Sequence, residues 1–386
     1  MALSTHRFTI GGTTVFGCGA IEQLPDALAR LAQDRAFLVT DKGVAAAGII
    51  AEVERILAVA GIDTATFDGV RANPTTEDLE AGRRAAREFG RGVIVALGGG
   101  SVLDVAKGIA LMAVNDGPAS AFDYRIEPEH PGLPLIAVPT TAGTGSETNG
   151  FGVIEDPEAD HKFYVGHQSV APRVAILDPQ LTCGLPAMQT AATGMDVLAH
   201  ALESLSSKRS NPYADGLALQ VVRMVSRFLP AAVTDGKDIE ARAQMLLASH
   251  MAGLAFSTTG LGMGHAMAHA LSARLGAAHG VALAAMLDHV LSFNLVVRTE
   301  TYAQVARALE VHDSSSDDHA NAQAAIDAVR RLSLDLGMPA SLHELGCTDQ
   351  LIPILVRDAL ADEVTANTPR LPSEEELQRL LTAALY

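Results

Sequence analysis

Short apolar runs separated by polar turns dominate the first half of the chain. Ala36–Thr40, Gly92–Leu97 and Leu135–Val138 are apolar at nearly consecutive positions, the signature of strands buried on both faces, and Thr64–Phe67 reads as a further strand. Between them, Ile21–Gln33 and Ala45–Ala60 repeat their apolar residues at helical spacing. The segment Arg71–Glu77 predicts a turn that becomes a helix start, with Pro74 ahead of a cap at Thr75 or Thr76. Arg7–Phe16 reads as two short strands around Gly11-Gly12. Strands alternating with helices imply a mostly parallel, Rossmann-like sheet covered on both faces, hence an α/β N-terminal domain. From Pro186 the apolar spacing becomes helical and β-branched runs grow scarce, so an all-α C-terminal domain is expected. These expectations place one domain at 1–185 and a second at 186–386. The polar stretch Asp313–Asp318 reads as a solvated linker between helices.

Composition narrows the class. The chain has 386 residues, 48% hydrophobic and 19% charged, enough for two domains with substantial cores. Its formal charge of −17, with no basic run, argues against nucleic acid and anionic membranes as partners. Cys18, Cys183 and Cys347 are odd in number and far apart, which suits a reducing compartment. The opening residues lack the apolar core of a signal peptide, and no run of about eighteen uninterrupted apolar residues occurs, so the cytoplasm is the expected location.

Two stretches predict a nucleotide site. Gly98-Gly99-Gly100-Ser101 follows a predicted strand and opens a helix, where glycines let the backbone approach a ligand and helix N–H groups face an anion. A pyrophosphate suits this place, although Leu103 occupies the third glycine position of the usual dinucleotide fingerprint. The loop Pro139–Glu147 also follows a strand, and its hydroxyls and glycines suit phosphate or ribose. Asp41, at another strand end, suits the ribose hydroxyls and would repel a 2′-phosphate, favouring NAD over NADP; an ordinary helix N-cap explains Asp41 equally well.

A third constellation predicts a metal. His265, His269 and His279 fall within Gly262–Gly280, the first two one helical turn apart. Asp196 and His200 repeat that spacing upstream, so two helices can each offer a pair of ligands. One carboxylate with imidazoles suits Fe, Zn or Ni better than Mg or Ca. A lone histidine such as His289 is more simply a packed or capping residue.

Taken in order, GGGSVLDVAKG at 98–108, PTTAGTGSE at 139–147, ATGMDVLAHALE at 192–203 and GHAMAHALSARLGAAHG at 264–280 resemble the iron-containing (group III) alcohol dehydrogenase family. The resemblance is nearest the branch of lactaldehyde reductase and 1,3-propanediol dehydrogenase. It implies a dinucleotide-binding domain, a helical domain and a metal in the cleft between them. It further implies Asp196, His200, His265 and His279 as metal ligands, with His269 a catalytic histidine that does not bind the metal. For the cofactor it implies Asp41, Asn73, Gly98, Gly99, Gly100, Ser101, Thr140, Thr141, Thr144, Lys162, Leu181 and Thr182. Phe151 and Phe256 match pocket-lining positions. Departures fall at Ala270 and Ser272, where many relatives have Pro and Gly; at Thr148-Asn149, where they have Val-Thr; and at Thr368, where they have Asn. Val364 stands where close relatives often carry Cys.

The implied activity is interconversion of small primary alcohols or diols and aldehydes, using NAD and Fe(II), with Zn(II) compatible with the same ligands. Phe151, Phe256 and Val364 predict a small, fairly apolar pocket in which Asn149 reads a hydroxyl. A homodimer or a multiple of dimers is expected by family habit. The rivals are a nicotinoprotein or hydroxyacid–oxoacid transhydrogenase of the same fold, a dehydroquinate synthase-like lyase, and a non-catalytic binder.

Overall fold

The computed structural model describes residues 11–157 and 161–386, with the side chain of His161 left aside. The described chain divides between Gly184 and Leu185 into two compact units.

The first unit is built on a six-stranded sheet, β1 (Thr13–Phe16), β2 (Arg35–Val39), β3 (Asp63–Phe67), β4 (Val93–Gly98), β5 (Leu135–Pro139) and β8 (Val174–Leu177), in spatial order β1-β8-β5-β4-β2-β3. Every pairing is parallel. Alternate side chains enter two cores. Phe37, Val39, Ile94, Ala96, Leu135 and Ala137 pack against helices α4 (Thr76–Phe89) and α5 (Gly100–Met112). Leu38, Val93, Val95, Leu97, Ile136 and Ile176 pack against α1 (Leu24–Arg30) and α3 (Ile49–Val59) on the other face. Burial on both sides is why these strands are continuously apolar.

Several local expectations are refined. Residues 45–60 hold two helices, because Gly48 adopts φ 79° and separates α2 (Lys42–Ala46) from α3. The segment 21–33 starts as a 3-10 turn and its α-helix stops at Arg30. Thr75 caps α4 in a capping box with Asp78. Of the two strands expected in 7–16, the second is β1, paired with β8; the first lies outside the described residues. An antiparallel hairpin, β6 (Phe151–Asp156) and β7 (His161–Gly166), was not anticipated, and neither was β8.

The second unit is helical. Its centre is α6 (Ala187–Ser206), buried without a break from Gly194 to Ser206. Around it lie α7 (Pro212–Thr234), α8 (Ile239–Thr259), α9 (Met263–Leu275), α10 (His279–Ala284) and α11 (Leu287–Ala308), followed by α12 (Asp318–Asp335), α13 (Ile352–Ala361) and α14 (Glu374–Ala383). Helix α7 is long and apolar enough to cross a membrane by composition, yet Ala218, Val221, Val222, Val225 and Leu229 are buried in this unit, where α7 packs on α6 and α8. Helix α11 kinks at Arg298, whose guanidinium donates to the carbonyls of Ser206 (2.9 Å) and Ser207 (3.2 Å), capping the C-terminus of α6. The fold is an α/β unit with a parallel sheet followed by a helical unit, as the periodicity predicts.

Candidate metal centre and cofactor loops

Helix α6 carries Asp196 and His200 one turn apart, both about 4% exposed. Three imidazole Nε2 atoms converge on Asp196 Oδ1: His200 at 3.5 Å, His265 at 3.6 Å and His279 at 3.7 Å. The donor atoms of Asp196, His265 and His279 all lie within 4.8 Å of one another. Asp196 Oδ1 and His265 Nε2 are buried without a hydrogen-bond partner. Leaving such atoms unsatisfied costs stability unless something else binds them. Ligands about 2.1 Å from a tetrahedral ion stand about 3.4 Å apart, near the spacing found here. The residues therefore fit a borderline divalent metal. Burial works against a charged Asp196, but the imidazoles around it hold its carboxyl below the usual range.

The arrangement is fixed from behind. Glu203, one turn beyond His200, accepts from His265 Nδ1 (2.5 Å), Gly262 N–H (3.0 Å) and Gly264 N–H (2.7 Å). A Cβ on Gly264 would stand 2.8 Å from Glu203 Oε1, so this approach needs glycine. The carboxylate sets the His265 tautomer and turns Nε2 toward Asp196. His279 opens α10, and Gly280 lets α10 lie on the backbone of α6: a Cβ there would meet Ala192 O at 2.2 Å. Burial lowers and the two carboxylates raise the His265 pKa, which settles at about 9.

His269 stacks on His279 with ring centroids 5.2 Å apart, and its Nδ1 lies 2.7 Å from Asp362 Oδ2. The Phe256 ring on α8 stands 4.6 Å from that of His200. Val364 lies in the short turn after Asp362 and is half-buried.

The nucleotide candidates cluster in the first unit. The chain order of the sheet reverses between β2 and β4, whose C-terminal ends lead to Asp41 and to Gly98–Ser101, the place where such sheets bind ligands. Gly99 is the N-cap of α5, with no side-chain cap over its first N–H groups. Added Cβ atoms on Gly100 and Gly99 would meet Thr144 Cγ2 at 2.4 Å and Thr141 Cγ2 at 3.3 Å, so the two glycine-rich loops touch. The Thr140 N–H donates to Gly98 O (3.0 Å), continuing the β4–β5 ladder. Asp41 caps α2, its Oδ1 accepting from Val44 N–H at 2.9 Å. Asn73 is exposed in the turn before α4, a turn held by the Glu155 N–H on Pro74 O (2.9 Å). Lys162 sits on β7 opposite Glu155. Leu181 packs on the core beside α1, and Thr182 Oγ1 donates to Pro179 O at 2.8 Å.

Asn149 and Phe151 belong to this first unit, whereas Phe256 and Val364 belong to the second. Asn149 Oδ1 accepts from Lys107 Nζ at 3.0 Å, so that oxygen is engaged by the protein itself.

Sequence reasoning passed over Glu203, Asp362, Asp104 and Lys107. The available signal was a charged residue inside an otherwise apolar helix, as in Val102–Met112 and Val197–Leu205, since a charge buried there needs a specific partner.

Comparison with known proteins agrees with this geometry. Residues 12–179 match the family model "Iron-containing alcohol dehydrogenase", and residues 190–385 match "Fe-containing alcohol dehydrogenase family, C-terminal". The chain is 37% identical to a 1,3-propanediol dehydrogenase of Klebsiella pneumoniae over 386 residues, covering 100% of both chains. It is 34% identical to an NAD-dependent methanol dehydrogenase of Bacillus methanolicus, over 98% of this chain and 100% of that one. A solved 1,3-propanediol oxidoreductase superposes with a TM-score of 0.96 at 36% identity, over 99% of this chain and 100% of the other.

Proposed function

The chain belongs to the iron-containing alcohol dehydrogenase family, and on that premise we propose that it is an NAD-dependent, iron-loaded enzyme for small primary alcohols and diols and their aldehydes. It is an oxidoreductase acting on an alcohol or aldehyde. The observation that carries the finer reading is the convergence of three imidazole nitrogens on Asp196 Oδ1 within 3.7 Å.

When bound, the divalent ion supplies Lewis acidity toward the alcohol oxygen and NAD accepts the hydride. Asp196, His200, His265 and His279 would hold the ion, and Glu203 keeps His265 in the tautomer that presents Nε2. Asp362 holds the Nδ1–H of His269, leaving His269 Nε2 to take up the proton of the alcohol and release it toward solvent. The Gly98–Ser101 backbone and the start of α5 would receive the pyrophosphate; Thr140, Thr141 and Thr144 lie beside it. Asp41 leaves Oδ2 for the ribose hydroxyls, and its charge disfavours a 2′-phosphate, which supports NAD over NADP. Asn73, Lys162, Leu181 and Thr182 complete the proposed cofactor contacts. Phe256, whose ring stands 4.6 Å from that of His200, supports a short, largely apolar substrate, and the named relatives act on primary alcohols. Three free cysteines support a cytoplasmic setting, and family resemblance supports a dimer or a multiple of dimers.

The test uses chelated apoprotein reloaded with Fe(II) or Zn(II), following reduced-cofactor absorbance with methanol, ethanol, 1,2-propanediol and 1,3-propanediol. Turnover with free NAD, restored by Fe(II) and strongest with a diol, is expected. Full metal occupancy and NAD binding with no turnover would overturn the reading in favour of a nicotinoprotein or transhydrogenase.

A further inference from the structure

Lys107 is the one lysine or arginine among the described residues whose side chain is 0% exposed, and nothing in the mechanism above uses it. It lies two turns into α5, on a helix whose residues from Val105 to Met112 are all buried. Its ammonium group donates to three acceptors on two neighbouring segments: Ser146 Oγ at 2.5 Å and Asn149 Oδ1 at 3.0 Å, both on the segment leading out of the second glycine-rich loop, and Phe151 O at 2.6 Å, where β6 begins. An ammonium has three N–H groups, and here each has an acceptor.

Asp104, one turn earlier, completes the network. Its Oδ1 accepts from Ser146 Oγ at 2.6 Å and its Oδ2 from Val153 N–H at 3.0 Å. Strand β6 reaches α5 at this point only because residue 152 is glycine: a Cβ there would stand 2.6 Å from Asp104 Cα. The pair therefore ties the helix that opens at Gly100 to the segment carrying Thr140, Thr141, Thr144 and Asn149, and to the hairpin carrying Phe151 and Lys162. Burying a full charge at such a position is costly and is offset only by complete hydrogen bonding.

We propose that Lys107 is a positioning residue for the cofactor: its ammonium, with Asp104, holds the second loop and the β6–β7 hairpin in register with the pyrophosphate-binding helix. This rests on the NAD reading above. Loss of one of the three donors loosens the loop, and NADH affinity falls with it. Burial lowers the Lys107 pKa to about 8 against the opposing charges of Asp104 on its own helix and Glu147 on the loop, while β6 presents a backbone carbonyl. Above that pH the neutral amine has two N–H groups for three acceptors.

The experiment is direct titration of metal-free full-length protein with NADH between pH 6.5 and 9.5. The chain contains no tryptophan, so cofactor fluorescence reports binding without transfer from that residue. Wild type is expected to weaken as pH rises through about 8. Lys107→Met is expected to bind about tenfold more weakly at neutral pH, the equivalent of one charged hydrogen bond, and with little pH dependence. A structural role alone would lower the unfolding midpoint and leave both affinity and pH profile as in wild type, and that result would overturn the proposal. Should Lys107→Met fail to fold, Ser146→Ala decides: it removes the hydroxyl shared by Lys107 and Asp104, and unchanged NADH affinity in that variant overturns the proposal. Wild type that binds no NADH at any pH would remove the premise, and the proposal with it.

Discussion

Glu203 has no contact with substrate in the proposed mechanism, yet three donors meet its two oxygens: the His265 ring and the N–H groups of Gly262 and Gly264. A glutamine has one acceptor oxygen and would turn its NH2 toward at least one of those donors. Glu203→Gln is expected to weaken metal binding by about 10–100-fold, the usual cost of losing a carboxylate behind a ligating histidine. Competition with a chromophoric chelator measures it; a variant with wild-type metal affinity and only a lowered unfolding midpoint would show that Glu203 serves the helix and not the metal. His265 adds a proton argument. Its folded-state pKa of about 9 lies above the ordinary 6.5, so its pairing with Glu203 and Asp196 stabilises the metal-free protein fully below pH 6.5 and is lost as pH rises through 9. The metal takes Nε2, and that proton must leave. Loading the apoprotein in weakly buffered solution at pH 7.5 is expected to release about one proton from this residue. Metal uptake without acidification would contradict the protonation assigned to His265.

At the scale of elements, the metal site depends on α10 lying close enough to α6 for His279 to join Asp196. Gly280→Ala puts a methyl carbon 2.2 Å from the Ala192 carbonyl oxygen, and that oxygen belongs to a buried helix that cannot yield cheaply. Overpacking of this kind costs about 1–3 kcal/mol, and here it also shifts a ligand. Metal stoichiometry of the purified variant is expected to fall well below one per chain, with a lower unfolding midpoint; full occupancy with three intact histidines would show that α10 has slack. The elements most legible in the sequence were those buried on both faces. Strands β2, β4 and β5 announce themselves as apolar runs, and the helical second half by its period. Strands β6 and β7 did not, because they are only partly buried and hold their place through Gly152 against α5 and the Lys107 network, which are contacts distant in sequence. Gly48 was legible as a residue, but its positive φ, which splits one apparent helix into two, was not. The same division holds for the site. The i, i+4 pair Asp196–His200 showed the ligand chemistry directly, since helical periodicity alone puts them on one face. Glu203 and Asp362 act through partners 62 and 93 residues away, and no local pattern encodes such pairings.

For the whole molecule, every residue assigned to the metal lies beyond Leu185 and every residue assigned to the cofactor lies before it, in units with separate cores. Binding stabilises whatever must stay folded to hold the ligand, by about 2.7 kcal/mol at a hundredfold excess over Kd. Amide exchange reads this residue by residue, because each amide reports the opening that exposes it. Metal loading is expected to slow exchange in α6, α9 and α10, where Asp196, His265 and His279 sit, and to leave β4 and the start of α5 near their metal-free rates. NADH is expected to do the reverse, protecting Gly99–Leu103 and the loop after β5. The prediction is demanding because α6 is already buried from Gly194 to Ser206, so added protection there must come from suppressed opening of the unit, not from covering an exposed helix. If metal slowed exchange equally in residues 11–184, the two units would open as one, and the cofactor loops would gain protection from a metal held entirely by the other unit.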